Sequence, residues 1–264
     1  MSVPDIAPSE TILFVGAGLS MHLGLPSWAG LIGKLGEELN FDVDIFRGLG
    51  SPLALAEYYQ LEKGSIGPLR SLLDVEWHHP TIHIDSSIAH KLIVELGFPR
   101  IYTTNFDRWI EKSFEHWAVP YHKIINVNDI AGSKAGCTDI VKFHGDFDQD
   151  DTLVLTESSY FDRLEFESPL DILLRADALY RPILFIGYSL SDVNIRYLFH
   201  KLWKIWESAK ISTARKKSHI FMSRPNPVEE ALFAKWGITP IVDDKGGKVG
   251  LIEFLSSLGA RPTA

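Results

Sequence analysis

Residues 11–20 read TILFVGAGLS, an apolar run that stops abruptly at two glycines and a serine. The run predicts a strand. The following stretch, PSWAGLIGKLGEEL at 26–39, places Leu31, Leu35 and Leu39 at helical spacing, so the segment reads as strand, glycine turn and helix. Gly16 and Gly18 lack a Cβ, so the backbone there can turn tightly and approach a pyrophosphate, with Ser20 and the N-terminus of the helix offering donors. The spacing departs from the dehydrogenase fingerprint. Met21 stands where its third glycine would be, and Glu37 and Glu38 sit inside a helical pattern rather than at the end of a second strand. These departures argue against hydride transfer more than against nucleotide binding. Alone, a Gly-x-Gly step is equally the mark of a plain turn.

Further strands are predicted in RIYTTN (100–105), HKIIN (122–126), DIVKF (139–143), TLVLT (152–156), PILFIG (182–187), SHIFMS (218–223) and TPIV (239–242). Helical patterns separate most of the later ones, most clearly at 193–206, where Ile195, Leu198, Phe199, Leu202, Ile205 and Trp206 recur at helical spacing. The segment DSSIAHKLIVELG at 85–97 has a capping residue in front, Ile88, Leu92 and Leu96 on one face, and Gly97 past the end. Near-continuous apolar strands alternating with helices imply a parallel sheet covered on both faces. The expected fold is therefore α/β, a Rossmann-like doubly wound, mostly parallel sheet forming a single domain over 1–264, with a helical insertion at about 41–85.

Composition narrows the function. The chain has 264 residues, 45% hydrophobic and 23% charged, with a formal net charge of −8, so it lacks the basic footprint of a nucleic-acid binder. The one basic cluster, ARKK at 214–217, reads as a solvated loop. No apolar run is long enough to span a membrane, and the opening MSVPDIAPSE is acidic and broken by proline, unlike a signal peptide. The cytoplasm is the expected compartment. With Cys137 as its only cysteine the chain can form neither an internal disulfide nor a four-cysteine zinc ribbon.

Four of the strands end in small and polar residues: FVGAGLS (14–20), IYTTNFD (101–107), VKFHGD (141–146) and LFIGYSLSD (184–192). In open parallel sheets ligands bind beyond the carboxyl ends of the strands, so these clusters would line one edge. The second supplies Thr103, Thr104, Asn105 and Asp107; the fourth supplies Gly187, Tyr188, Ser189, Ser191 and Asp192 and leads into the long helix, which Ser191 or Asp192 would cap. The third places His144, whose imidazole ordinarily titrates near neutral pH, where a buried strand ends.

In order, GAGLS with GLPSW, His90 in the helix before TTNFD, then FHG, then GYSLSD, the chain resembles the sirtuin family of NAD-consuming enzymes, in the bacterial zinc-less branch associated with anti-phage defence. The resemblance covers nearly the whole chain. It implies that Gly16, Ala17, Gly18 and Ser20 form the phosphate-side loop, with Thr104 beside it at the position of the family's Gln. It further implies that Asn105 and Asp107 lie beside the nicotinamide ribose, that His144 is the catalytic histidine, and that Gly187 and Ser189 form the adenosine-ribose turn, with Asp192 also expected among the cofactor-binding residues. His90 also matches and is read as a packing residue. Two departures weigh against protein deacylation: the missing zinc cysteines, and Ser27 and Trp28 after Gly24, Leu25 and Pro26, where deacylating sirtuins carry Asp, Phe and Arg.

The activity implied is NAD glycohydrolysis, giving nicotinamide and ADP-ribose or a cyclic ADP-ribose, with NAD as substrate and no metal. Asn105 would orient a water or ribose hydroxyl, and His144 would accept its proton. Asp107 would hold the local network or the ribose. Regulation would come from homo-oligomer formation or from a separate activating sensor or ATPase protein. A module that senses NAD or ADP-ribose without turnover would need the glycine loop but not the chemistry of Asn105 and His144. A deacylase or ADP-ribosyltransferase would need a protein nucleophile. The cluster WHHPTIHID at 77–85 has His79 and His83 at a metal-like spacing, but Pro80 interrupts any helix there, so it is read as a polar connection. Trp203 and Trp206 could serve an interface, though core packing explains them more simply.

Overall fold

The computed structural model describes residues 4–163, 167–188, 192–208, 216–243 and 247–259. Seven parallel strands are formed: β1 (Ile12–Val15), β2 (Arg100–Thr103), β3 (Tyr121–Ile124), β4 (Thr138–Lys142), β5 (Ile183–Ile186), β6 (Ser218–Met222) and β7 (Ile238–Val242). Their order across the sheet is β3-β4-β2-β1-β5-β6-β7. The chain adds β2, then the edge strand β3 and β4 between them on one side of β1, and crosses to add β5, β6 and β7 on the other, so a topological switch point lies between β1 and β5.

Both faces of the sheet are covered, which is why its strands read as unbroken apolar runs rather than alternating ones. Successive side chains of a strand point to opposite faces. Ile12 and Phe14 of β1 join Tyr102, Phe185 and Ile220 on one face, under Ile195, Leu198, Phe199 and Leu202 of helix Val193–Ser208. Leu13 and Val15 join Ile101, Leu184 and Ile186 on the other, under helices Ile88–Leu96 and Gly247–Gly259. Trp206 is buried in the first cluster and Trp203 packs against it, which matches the packing explanation.

Residues 43–77 form three helices, Val43–Gly48, Pro52–Lys63 and Gly67–Trp77, which with helix Trp28–Glu38 enclose a third cluster around Phe46, Tyr59, Leu73 and Trp77. Phe106 and Phe147, from the loops after β2 and β4, are inserted into it, so the helical layer is seated directly on the strand-end loops. One expected strand is corrected. TLVLT at 152–156 does not join the sheet: residues Asp150–Thr152 make a 3-10 turn, Leu153 and Leu155 pack into the third cluster, and Val154 N–H bonds the carbonyl of His144 at 2.9 Å. Its apolar residues serve that cluster instead of a sheet face. Among the described residues no helix is long and apolar enough to cross a membrane.

Candidate active site

Register places the strand ends level with one another. Val15 lies opposite both Thr103 and Ile186, and Thr103 lies opposite Lys142. Asn105 and His144 therefore each leave the sheet two residues beyond a paired position on adjacent strands, which run about 4.8 Å apart. Gly16 and Gly187 likewise follow a paired position directly.

The loops after β1 and β5 meet across the switch point. Gly16 N–H bonds the carbonyl of Ile186 at 3.0 Å and Gly18 N–H that of Gly187 at 2.9 Å. A Cβ on Gly18 would stand 2.7 Å from Gly187 Cα and 2.9 Å from its carbonyl oxygen, closer than real packing tolerates. Glycine is thus required here by backbone approach as well as by the turn. Ala17 is exposed, Ser20 is buried, and residues Ala17–Ser20 form a single helical turn. Ser189 and Ser191 lie outside the described residues.

The loop after β2 is tied to the glycine turn by side chains. Thr103 Oγ1 donates to the Val15 carbonyl (3.0 Å) and accepts from Asn105 N–H (3.0 Å). Asn105 Nδ2 donates to the Gly16 carbonyl (3.2 Å) and to Ser20 Oγ (3.1 Å), and the Ser20 hydroxyl donates to Asp107 Oδ2 (2.7 Å). Asp107 Oδ1 accepts from Trp109 N–H (3.1 Å), at the start of helix Trp109–His116. Asn105, Ser20 and Asp107 thus form one buried unit, while the neighbouring Thr104 is half-buried.

Below this unit lies a cluster that the sequence reading missed. Lys142, the last residue of β4, is fully buried; its Nζ donates to the Asp107 carbonyl and sits 3.2 Å from Glu111 and 3.4 Å from Asp146. Burial opposes the charge on Lys142, but Glu111 and Asp146 together hold its pKa above the ordinary lysine value. Burial pushes the Glu111 carboxyl upward, against the pull of Lys142, and Asp146 adds to the rise because two carboxylates share one buried cation. Asp146 and Asp148, which carry no role in the sequence reading, continue the network: Asp148 pairs with Lys123 (2.6 Å) and Arg108 (2.5 Å), and Arg108 pairs with Asp74 of the helical layer. A lysine following Ile140 and Val141 in the strand DIVKF was the available signal, since a charge in a strand covered on both faces needs partners.

His144 is 2% exposed. Its ring packs edge-on against Tyr160 (centroids 5.3 Å apart) and beside Phe143, and its Nε2 lies 3.3 Å from Asp192 Oδ2 without hydrogen-bond alignment. Burial lowers its pKa to about 4; Asp192 opposes that fall, Arg163 adds to it, and Asp171 opposes it. This corrects the expectation of titration near neutrality: desolvation outweighs the carboxylates. Gly145, at φ +89, turns the chain sharply after it, and a Cβ there would collide with the Thr152 backbone. Asp192 Oδ1 caps helix Val193–Ser208 through Asn194 N–H (2.8 Å) and Ile195 N–H (3.1 Å), while Oδ2 accepts from the Tyr160 hydroxyl (3.1 Å).

The remaining histidines act locally. His90 is buried, its Nδ1 2.7 Å from Ser87 Oγ, and burial lowers its pKa to about 3. His78 accepts from Arg108 N–H through Nε2 (2.9 Å) and its Nδ1 lies 2.7 Å from Asp74, which assigns the proton to Nδ1. A cleft of about 540 Å³ opens beside His78, His79, His83, Trp109 and His116. Among the described residues no three His, Cys, Asp or Glu side chains converge as metal ligands.

Comparison with known proteins adds a lineage to this geometry. The profile of the SIR2-like domain family matches residues 99–241, more than half of the chain. A Bacillus cereus protein named NAD(+) hydrolase ThsA is 29% identical over 205 residues, covering 77% of this chain and 42% of that protein. The Enterococcus faecium protein of the same name is 30% identical over 211 residues, covering 78% and 42%. Defense-associated sirtuin 2 of Bacillus subtilis is 25% identical over 234 residues, covering 83% of this chain and 21% of that protein. The chain spans about two fifths of the length of the two hydrolases and about one fifth of the third relative.

Proposed function

The chain belongs to the SIR2-like domain family, and from that premise we propose that it is an NAD glycohydrolase, releasing nicotinamide and ADP-ribose or a cyclic ADP-ribose. The observation that carries this reading is the buried unit in which Asn105 joins the glycine turn to Ser20 and Asp107, level with His144 on the neighbouring strand. The names of the relatives support it, two being NAD(+) hydrolases and one a defence-associated sirtuin. Two buried polar atoms around the Asp192 end of the site, Tyr188 Oη and Asn194 Oδ1, have no hydrogen-bond partner among the described residues, which suits a polar ligand.

In the proposed reaction the bond from ribose C1′ to the pyridinium nitrogen breaks, and its electron pair neutralises the ring. The leaving group needs no proton, in contrast to an ordinary glycoside. The protein has to orient the nucleophile and take its proton. Asn105 positions the attacking hydroxyl, His144 accepts the proton, and Asp107 fixes Ser20 and the loop. A ribose or adenine nucleophile in place of water gives the cyclic product. Asn105 and His144 are buried, with the Tyr160 ring against His144 and Tyr188 against Gly16. We further propose that this enzyme is a cytoplasmic effector of anti-phage defence that depletes NAD, and that self-assembly or a partner protein controls it.

The test is incubation of the purified chain with NAD, alone and with candidate partners, followed by chromatography of nicotinamide and ADP-ribose products. His144→Ala and Asn105→Ala should each abolish nicotinamide release while circular dichroism and melting report a folded protein. Near-normal turnover in either folded variant overturns the assignment, and tight NAD binding without turnover in the parent chain would make it a sensor.

A further inference from the structure

Asp192 does more than a helix cap requires. A cap needs one side-chain oxygen, and Oδ1 alone takes both Asn194 N–H and Ile195 N–H. The second oxygen is turned away from the helix, accepting from the Tyr160 hydroxyl at 3.1 Å and standing 3.3 Å from His144 Nε2. That imidazole nitrogen is buried and unpartnered, a costly state unless a partner completes it. The ring is held by packing against Tyr160 and Phe143.

The charged and titratable groups around His144 are Asp192 and Tyr160, with Arg163 and Asp171 behind them and Tyr188 beyond Asp192. Arg163 is spoken for. It pairs with Asp171 at 2.6 Å, donates to the Phe143 carbonyl and lies over the Phe143 ring. Burial, with the charge of Asp192, pushes the Tyr160 and Tyr188 hydroxyls upward, so both stay neutral. Among the described residues Asp192 is therefore the negative charge that faces the imidazole without a cation already bound to it.

We propose that Asp192 is a positioning residue for His144: Oδ2 accepts a hydrogen bond from Nε2–H, fixes that tautomer and leaves Nδ1 as the nitrogen that accepts a proton from the attacking hydroxyl. This rests on the glycohydrolase reading. The 3.3 Å separation is longer than a charge-assisted hydrogen bond, and catalytic contacts of this kind commonly tighten when substrate binds. When Nδ1 receives the proton, the imidazolium forms beside a carboxylate already in place. The Tyr160 hydroxyl holds Oδ2 from the far side and keeps it from rotating toward the helix.

Asp192→Asn separates this role from capping, because asparagine caps a helix as well as aspartate does. In the full chain the variant should melt at the parent temperature and lose on the order of a hundredfold in kcat, a larger change than any in KM. The acid limb of its kcat/KM profile should move to lower pH, since the carboxylate raises the basicity of His144. Tyr160→Phe should give a smaller loss in kcat with the same KM. Nitrogen-15 NMR of the imidazoles, read against His144→Gln for assignment, should show the Nε2–H tautomer in the parent chain and its loss in Asp192→Asn. Unchanged kcat and an unchanged acid limb in the folded variant, or an Nδ1–H tautomer in the parent, overturn the proposal. If the parent releases no nicotinamide under any condition, the function reading fails instead, and the NMR result still decides the pairing of His144 with Asp192.

Discussion

Burial of His144 makes a quantitative prediction about acid stability that is independent of any activity. In the unfolded chain the imidazole titrates near 6.5, and in the folded chain burial lowers it to about 4. As pH falls, the unfolded state therefore binds the proton first. The contribution of His144 to stability is complete above about pH 6.5, declines below it, and is gone by about pH 4. At 1.36 kcal/mol per pH unit the gap amounts to roughly 3 kcal/mol. The perturbation is His144→Gln, which removes the titration and keeps a polar side chain. Urea unfolding of both proteins at several pH values between about 7 and 4 isolates the effect, because other acid-labile groups, buried His90 among them, are common to both and cancel in the difference. The parent should lose roughly 3 kcal/mol more than the variant across that window. Parallel curves, agreeing within about 0.5 kcal/mol, would show that the imidazole is solvated in the folded state and would refute the reasoning.

Two further substitutions probe the loops that hold the site. Lys142→Met leaves Glu111 and Asp146 buried beside each other without their cation and should cost about 3–5 kcal/mol in urea unfolding. Adding Glu111→Gln should recover part of that loss, and strict additivity in the double-mutant cycle would mean that the two side chains do not interact. Gly18→Ala drives a methyl group into the Gly187 backbone, where neither side can rotate away, and should cost about 1–3 kcal/mol while weakening ADP-ribose binding by calorimetry. A variant as stable as the parent would show that the two loops are not in the contact described.

What the sequence made legible was carried by periodicity and by abrupt endings. The runs TILFVG, RIYTTN, DIVKF and PILFIG each place apolar side chains on both faces at their centres, as central parallel strands do, and each is followed by residues that turn or cap. Sheet topology then aligns those endings without any further local signal. TLVLT failed because a short apolar run has the same appearance in a strand and in a loop packed under helices; here its leucines belong to the cluster around Phe147. The pairing of His144 with Asp192 and Tyr160 joins distant chain segments and leaves no mark on local pattern. Lys142 was visible but its partners were not, since Glu111 lies on a helix and Asp146 in a turn. The lowered pKa of His144 follows from the cover laid over it, which is a property of packing and has no sequence signature.

That lowered pKa fits the charge of the proposed reaction. The nicotinamide ribose is cationic in the ground state, through the pyridinium, and cationic again as the bond to nitrogen breaks and charge moves to the ribose. A second positive charge about 4 Å away would cost about 4 kcal/mol at an effective dielectric near 20, and because bound substrate and transition state are both cationic the loss, close to a thousandfold, would fall on kcat/KM. An imidazole titrating at 6.5 would carry that charge in an appreciable fraction of molecules at neutral pH, whereas one titrating at about 4 almost never does. The same burial weakens His144 as a base, which matters less when the nucleophile attacks a centre already bearing positive charge and needs little activation. Asp192 then acts as the proton moves, stabilising the imidazolium while it forms. It follows that the variant without the carboxylate should be impaired in turnover more than in NAD binding, and that raising the imidazole's pKa by opening the site to water would not by itself make a faster enzyme.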